Sequence, residues 1–250
     1  NPSIKISPTD EGAQEKIATR RQGLIRHITY ESKAQMAHTQ MFDDAVDMGR
    51  GHCIVKTEYV SPESFDQKIV VEPIKNPLSV YMDIDRQKPD YSDCKYGFIV
   101  ESMNRDDFKE EYPGANASGW QGKEEDKLWY NEDTVLVAEY YDLRNIERLL
   151  IKVDEGGMTR ILYKDELEDV KYSDLKKAGK IVEERKVDDV EWWYYKITSE
   201  DILESQQLPF KEIPIVTFIG KESTVEGKLT LKGLIRDIKQ PARLYNFTTS

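Results

Sequence analysis

The residues best placed to do chemistry are Asp83 and Asp85, which flank Ile84 and follow the apolar run Leu78-Ser79-Val80-Tyr81-Met82. Two carboxylates at the end of a strand can hold Mg²⁺, one of them acting as nucleophile or base in phosphoryl transfer. Against that reading, Arg86 and Gln87 follow the pair, no Gly-Thr completes the pattern, and the chain is not an alternating parallel β/α array. The plainer reading is a pair of acidic residues in a turn that leaves a strand. The clusters Asp43-Asp44-Asp47, Glu124-Glu125-Asp126 and Glu166-Glu168-Asp169 read as solvated faces.

Other catalytic signatures are missing. The histidines are His27, His38 and His52, and no His-x-His or His-Glu-x-x-His spacing joins them into a zinc site. Cys53 and Cys94 form no metal or redox spacing, which makes a reduced, cytosolic-type setting the default. No Gly-x-x-x-x-Gly-Lys-Ser/Thr loop and no Gly-x-Gly-x-x-Gly occurs, and Gly49-Arg50-Gly51 reads as a helix stop. The expectation is no cofactor and no metal. Trp192-Trp193-Tyr194-Tyr195 on a strand puts two rings on each face. One pair then faces solvent, a ligand or a partner, or else the sheet is covered on both sides. Base stacking is disfavoured by Asp188, Asp189 and Glu191 just upstream.

The last stretch has its own chemistry. Leu231, Leu234, Ile235, Ile238 and Tyr245 recur as an apolar stripe, while Lys228, Lys232, Arg236, Lys239 and Arg243 recur every three or four residues. This predicts one helix over 228–250, about 35 Å long at 1.5 Å per residue, with Pro241 as a kink point or break. Five positive residues against Asp237 give 228–250 a net +4, so 1–227 carry −15 of the chain's −11. A basic stripe is commonly a solvated face. In a symmetric ring, one such helix per subunit would repeat it as rings of positive charge.

The elements that must position these residues follow from the whole 250-residue chain. With 36 Lys+Arg against 47 Asp+Glu, the chain is too acidic for a simple nucleic-acid coat. Its 14 Tyr, 7 Phe and 4 Trp supply the aromatic surface that a disordered chain lacks. No apolar run nears the roughly 20 residues of a membrane span, and no signal segment opens the chain. It begins at Asn1 and closes on a helical pattern, as a piece of a longer polypeptide would. Helices are predicted before residue 50, with Ile17, Leu24, Ile25 and Ile28 on one stripe and a second helix over 32–48 ended by Gly49. A hairpin of 52–60 and 67–74 follows, then strands over 78–83 and 97–101, a short helix over 104–112 and an exposed loop over 115–127. Strands over 134–141 and 148–153, a helix over 173–179 and a hairpin of 181–187 and 190–197 turning at Asp188-Asp189 complete the middle. The fold class is α+β: N-terminal helices, an antiparallel β-rich middle over 51–227, and a long C-terminal helix from 228.

The chain resembles the portal proteins of short-tailed, podovirus-type bacteriophages. The resemblance starts at Ser7-Pro8-Thr9-Asp10-x-Gly12-Ala13 and Gly23-Leu24-Ile25-Arg26-His27-Ile28. It continues through Val55-x-Thr57-Glu58-Tyr59, Ser64-Phe65-Asp66-Gln67-x-Ile69 and Asn76-Pro77-x-Ser79-Val80-Tyr81-x-Asp83. Asp133-Thr134-Val135-x-Val137-Ala138-Glu139-Tyr140 and Ile213-Pro214-Ile215-Val216 come next. Gly233-Leu234-Ile235-Arg236-Asp237-x-Lys239-x-Pro241-x-Arg243-x-Tyr245-Asn246 closes the series.

That resemblance implies a structural, non-enzymatic role. Such proteins form dodecameric rings at one capsid vertex, the head-tail connector, through which double-stranded DNA is packaged and later ejected. It implies residues 1–227 as a wing-like domain and 228–250 as the start of a stem helix beside the channel. On it, Lys228, Lys232, Arg236, Lys239 and Arg243 contact DNA, terminase or a neighbouring subunit, and Asp83 and Asp85 are turn residues. The implied partners are other portal subunits, terminase, capsid and scaffolding proteins, tail and head-completion proteins and DNA. The implied location is the virion, and the host cytoplasm during assembly, with no membrane. The chain lacks the family's second stem helix, tunnel and crown. Two other readings stay open: a docking domain of another phage or cellular assembly, and a metal-dependent phosphoryl-transfer enzyme on Asp83 and Asp85.

Overall fold

A computed structural model describes residues 5–8, 15–115, 133–155, 158–225 and 228–249. Contacts divide the chain into one unit of residues 1–99 with 213–250 and a second of residues 100–212. Residues 215–219 join the first unit by pairing with a strand near the N-terminus. Most of the exposed loop expected over 115–127 lies outside the described residues.

In the first unit, helices α1 (Glu15–Glu31) and α2 (Ala34–Met48) meet at Lys33, which takes a left-handed φ of 50°. Ala34, Ala37, Met41 and Ala45 are buried at helical spacing and form the stripe with which α2 meets a sheet. That sheet has the order β2-β1-β9, from β1 (Arg50–Tyr59), β2 (Gln67–Pro73) and β9 (Ile215–Ile219). Strands β1 and β2 form the expected hairpin, with Cys53 opposite Pro73 and Tyr59 opposite Gln67. Gly51 lets α2 lie directly on β1, since a Cβ there would stand 1.8 Å from the Met41 carbonyl oxygen. Strand β3 (Val80–Met82) pairs with the start of β4 (Tyr96–Asn104).

The C-terminal stretch differs from expectation. Lys228–Lys232 is strand β11, antiparallel to β10 (Lys221–Val225), and helix α5 begins only at Leu234 and runs to Thr249. The sequence Lys228-Leu229-Thr230-Leu231-Lys232 alternates polar and apolar residues, the period of a strand. Lys228 and Lys232 therefore leave the predicted helical stripe. The helix continues through Pro241.

The second unit contains α3 (Arg105–Glu111), whose N-terminus is capped as expected by Asn104, its side chain accepting the Asp106 N–H at 2.9 Å. Its sheet runs β4-β5-β7-β8, with β6 (Met158–Tyr163) on β5. Helix α4 (Asp169–Lys177) starts four residues before the expected 173. Strand β5 (Thr134–Glu155) is continuous for 22 residues and β7 (Ile181–Ile197) for 17, and β8 is Ile202–Leu208. Both expected breaks are absent: Ile146 pairs with Asp189 and Glu147 with Asp188 in the middle of one long ladder. Asp188-Asp189 is not a turn, because Arg148 and Lys211 neutralise Asp189 within the sheet at 3.0 and 2.7 Å. Phe108, Val135 and Val137 form the core under α3.

Candidate functional site

Of the five predicted basic residues, the structure places Arg236, Lys239 and Arg243 together on α5. At about 100° per residue they fall within an arc of about 60°. Leu234, Ile238 and Tyr245 lie on the opposite side of the helix. No residue of α5 is buried, and among the described residues no ion pair engages Arg236, Lys239 or Arg243. Lys232 instead pairs from the end of β11 with Asp237 in the first turn of α5, so its charge is spent on the helix start. Lys228 opens β11, opposite Val225.

Three glycines set where α5 departs from the β10–β11 hairpin. A Cβ on Gly49 would stand 2.8 Å from the Lys232 carbonyl carbon, and one on Gly220 2.5 Å from the Ala45 carbonyl oxygen. A Cβ on Gly233 would stand 2.4 Å from the Asp47 carbonyl oxygen. The end of α2, the β9–β10 link and the β11–α5 link thus meet backbone against backbone, and Gly220 N–H donates to the Gly49 carbonyl at 3.0 Å. Gly49 ends α2 with φ +94°, which glycine adopts without penalty. Arg86, whose side chain is only 4% exposed, ties the same hairpin down by pairing with Glu222 of β10 and lying 3.8 Å above the Tyr91 ring.

Asp83 is buried, and both its carboxylate oxygens accept backbone N–H groups, from Asp85 at 3.0 Å and Lys95 at 2.9 Å. This is the turn role. Among the described residues no group of three or more His, Cys, Asp or Glu could hold a metal ion. His52 is buried in β1 and hydrogen-bonds Thr217 of β9 at 2.9 Å. Burial, together with the Arg50 charge, pushes its pKa down to about 3. Cys53 and Cys94 are buried free thiols, and burial raises both to about 11.

The family model described as phage P22-like portal protein matches residues 1–250, the full length of the chain. The chain belongs to this family. A portal protein of Acyrthosiphon pisum secondary endosymbiont phage 1 is 28% identical over 265 residues. The alignment covers 99% of this chain and 36% of that protein, so the chain spans about a third of its relative's length. Portal proteins are structural, virion-associated bacteriophage proteins, and a carboxylate such as Asp83 serves such a protein by closing a turn. No described helix is long and apolar enough to cross a membrane. Two residues of this portal chain escaped the sequence reading. Arg86 counted only against an enzyme motif, and Arg148 did not stand out, although it holds Asp189, Asp165 and Glu166 together and lies 3.8 Å over Tyr163.

Proposed function

We propose that this chain is part of a structural subunit of a phage portal ring, through which double-stranded DNA is packaged into the capsid and later ejected. The single observation that carries the reading is the family match over all 250 residues. The geometry supports it with a helix that is exposed on every side, basic on one face and apolar on the other. In a ring, the apolar face made by Leu234, Ile238 and Tyr245 packs against neighbouring helices. Arg236, Lys239 and Arg243 then face DNA, terminase or an adjoining subunit. Residues 1–227 act as the wing-like domain, and the segment from 228 leads into the stem through β11 rather than as helix throughout. The role is non-enzymatic and needs no cofactor. Its partners are other portal subunits, terminase, capsid and scaffolding proteins, and tail and head-completion proteins. Its place is the portal vertex of the virion, reached from the host cytoplasm during assembly.

A conducting channel needs a weak grip on phosphate, because DNA must slide. A few basic positions on a largely acidic chain suit that better than a basic clamp. Negative-stain imaging of the full-length protein tests the proposal. A closed ring with an axial hole is expected, and a compact monomer overturns it.

A further inference from the structure

Ala18 is the one buried residue of helix α1. On the opposite side of the helix Lys16, Arg20, Gly23, His27 and Tyr30 recur at alternating steps of four and three residues. At about 100° per residue they fall within an arc of about 80°. Ile17 and Leu24, 48% and 56% exposed, border this stripe. In α1 the cations Lys16, Arg20, Arg21 and Arg26 outnumber Glu15 and Glu31. All four are exposed, and among the described residues no hydrogen bond or ion pair engages any of them.

Gly23 stands in the middle of the stripe. Glycine inside a helix lowers its stability relative to alanine, and nothing in this chain comes within 4 Å of where a Cβ would stand. Packing within the chain therefore gives no reason for the glycine. Its missing side chain lets a partner come close to the backbone of α1 at that point.

The charge that complements this face is carried by the chain itself. Residues 100–212 hold 17 Lys+Arg and 29 Asp+Glu, a net −12, whereas the rest of the chain holds 19 and 18, a net +1. Of the two α-helices described there, α4 carries Lys171, Lys176 and Lys177, while α3 carries Asp106, Asp107, Glu110 and Glu111. Asp107 and Glu110 are exposed and one turn apart, and among the described residues no hydrogen bond or ion pair engages either. Lys16 and Arg20 present the same one-turn spacing in positive charge.

We propose that α1 docks on α3 of a second copy of this chain, with Gly23 at the crossing and Lys16 and Arg20 facing Asp107 and Glu110. Opposite charges select the partner and fix the register. Ile17, Leu24 and Tyr30 supply apolar and aromatic area, which a protein surface rewards and a phosphate backbone does not. The inference rests on the ring reading for the presence of adjacent copies, and it adds which surfaces meet.

The test assembles the full-length protein from a mixture of ¹⁴N and ¹⁵N copies carrying a benzophenone amino acid in place of Leu24. Irradiation is expected to join position 24 to a peptide spanning 105–111 in light–heavy pairs, the mark of two copies. Arg20→Glu should cut the yield about tenfold, as a like-charge contact requires, and so should Glu110→Lys. The two changes together should restore most of it, which a folding defect in either single variant would not. Lys75→Glu, an equal charge reversal at an exposed bend, should leave the yield unchanged. Light–light pairs alone overturn the proposal, as do cross-links to other segments or to an added DNA duplex. So does failure of the double variant to recover, or an equal loss in Lys75→Glu. A closed ring without the cross-link overturns this inference and leaves the portal reading intact, whereas a monomer removes both.

Discussion

His52 shows how a single buried side chain sets the response to acid. Its pKa falls from about 6.5 unfolded to about 3 folded, so below pH 6.5 the unfolded chain binds a proton that the folded chain refuses. Stability is therefore complete above pH 6.5 and declines as pH falls toward 3, by about 1.4 kcal/mol per unit. Urea unfolding between pH 7 and 4 should show this slope, and His52→Gln should flatten it relative to the wild type. Asp189 acts in a lower window. Lys211 and Arg148 hold its pKa near 2, so its contribution is intact above the usual carboxylate range and fades only as pH falls through 2. Asp83→Ala should cost about 1–2 kcal/mol by removing the acceptor for the Asp85 and Lys95 N–H groups, read as a lower urea midpoint with no change in Mg²⁺ response. The turn role of Asp83 was legible in its neighbours Arg86 and Gln87. The burial of His52 was not, because its partner Thr217 lies 165 residues away.

At the scale of elements, local periodicity found α1, α2, α3 and the β1–β2 hairpin, where each signal is complete within a few residues. It failed where distant charges override local chemistry. Asp188-Asp189 has turn composition, yet Arg148 and Lys211 hold Asp189 inside a 17-residue strand. Arg148→Met should loosen the 3-10 turn at Lys164–Glu166, which Arg148 holds through Asp165 and Glu166. Faster amide exchange over 164–168 would register it, with β1–β2 unchanged. The hairpin β10–β11 was missed because Lys228 and Lys232 also satisfy a helical spacing. Gly233→Ala should destabilise by about 1–3 kcal/mol, since overpacking against the Asp47 carbonyl leaves only backbone to move. A lowered melting temperature with protection lost first in β10–β11 is the expected result.

For the whole molecule, the net −11 resolves into a −12 unit and a near-neutral remainder that bears the basic helix. Reversing Arg236 and Lys239 to Glu in the full-length protein should impair DNA packaging or ring assembly, scored by packaged DNA and by imaging. Lys232→Glu should mainly weaken the start of α5, because Lys232 already spends its charge on Asp237. The family was legible in ordered short motifs spread over the chain, since each records a local requirement such as a cap or a tight crossing. The grouping of residues 213–250 with 1–99 was not, because it depends on residues 215–219 returning to β1. The three-glycine crossing has a mechanical meaning as well. Helix α5 is a lever about 24 Å long at 1.5 Å per residue, and its root bears on the carbonyl end of α2 with no side chain between them to rotate or yield. A sideways load on its tip is delivered to α2 as rigid displacement instead of being absorbed at the joint.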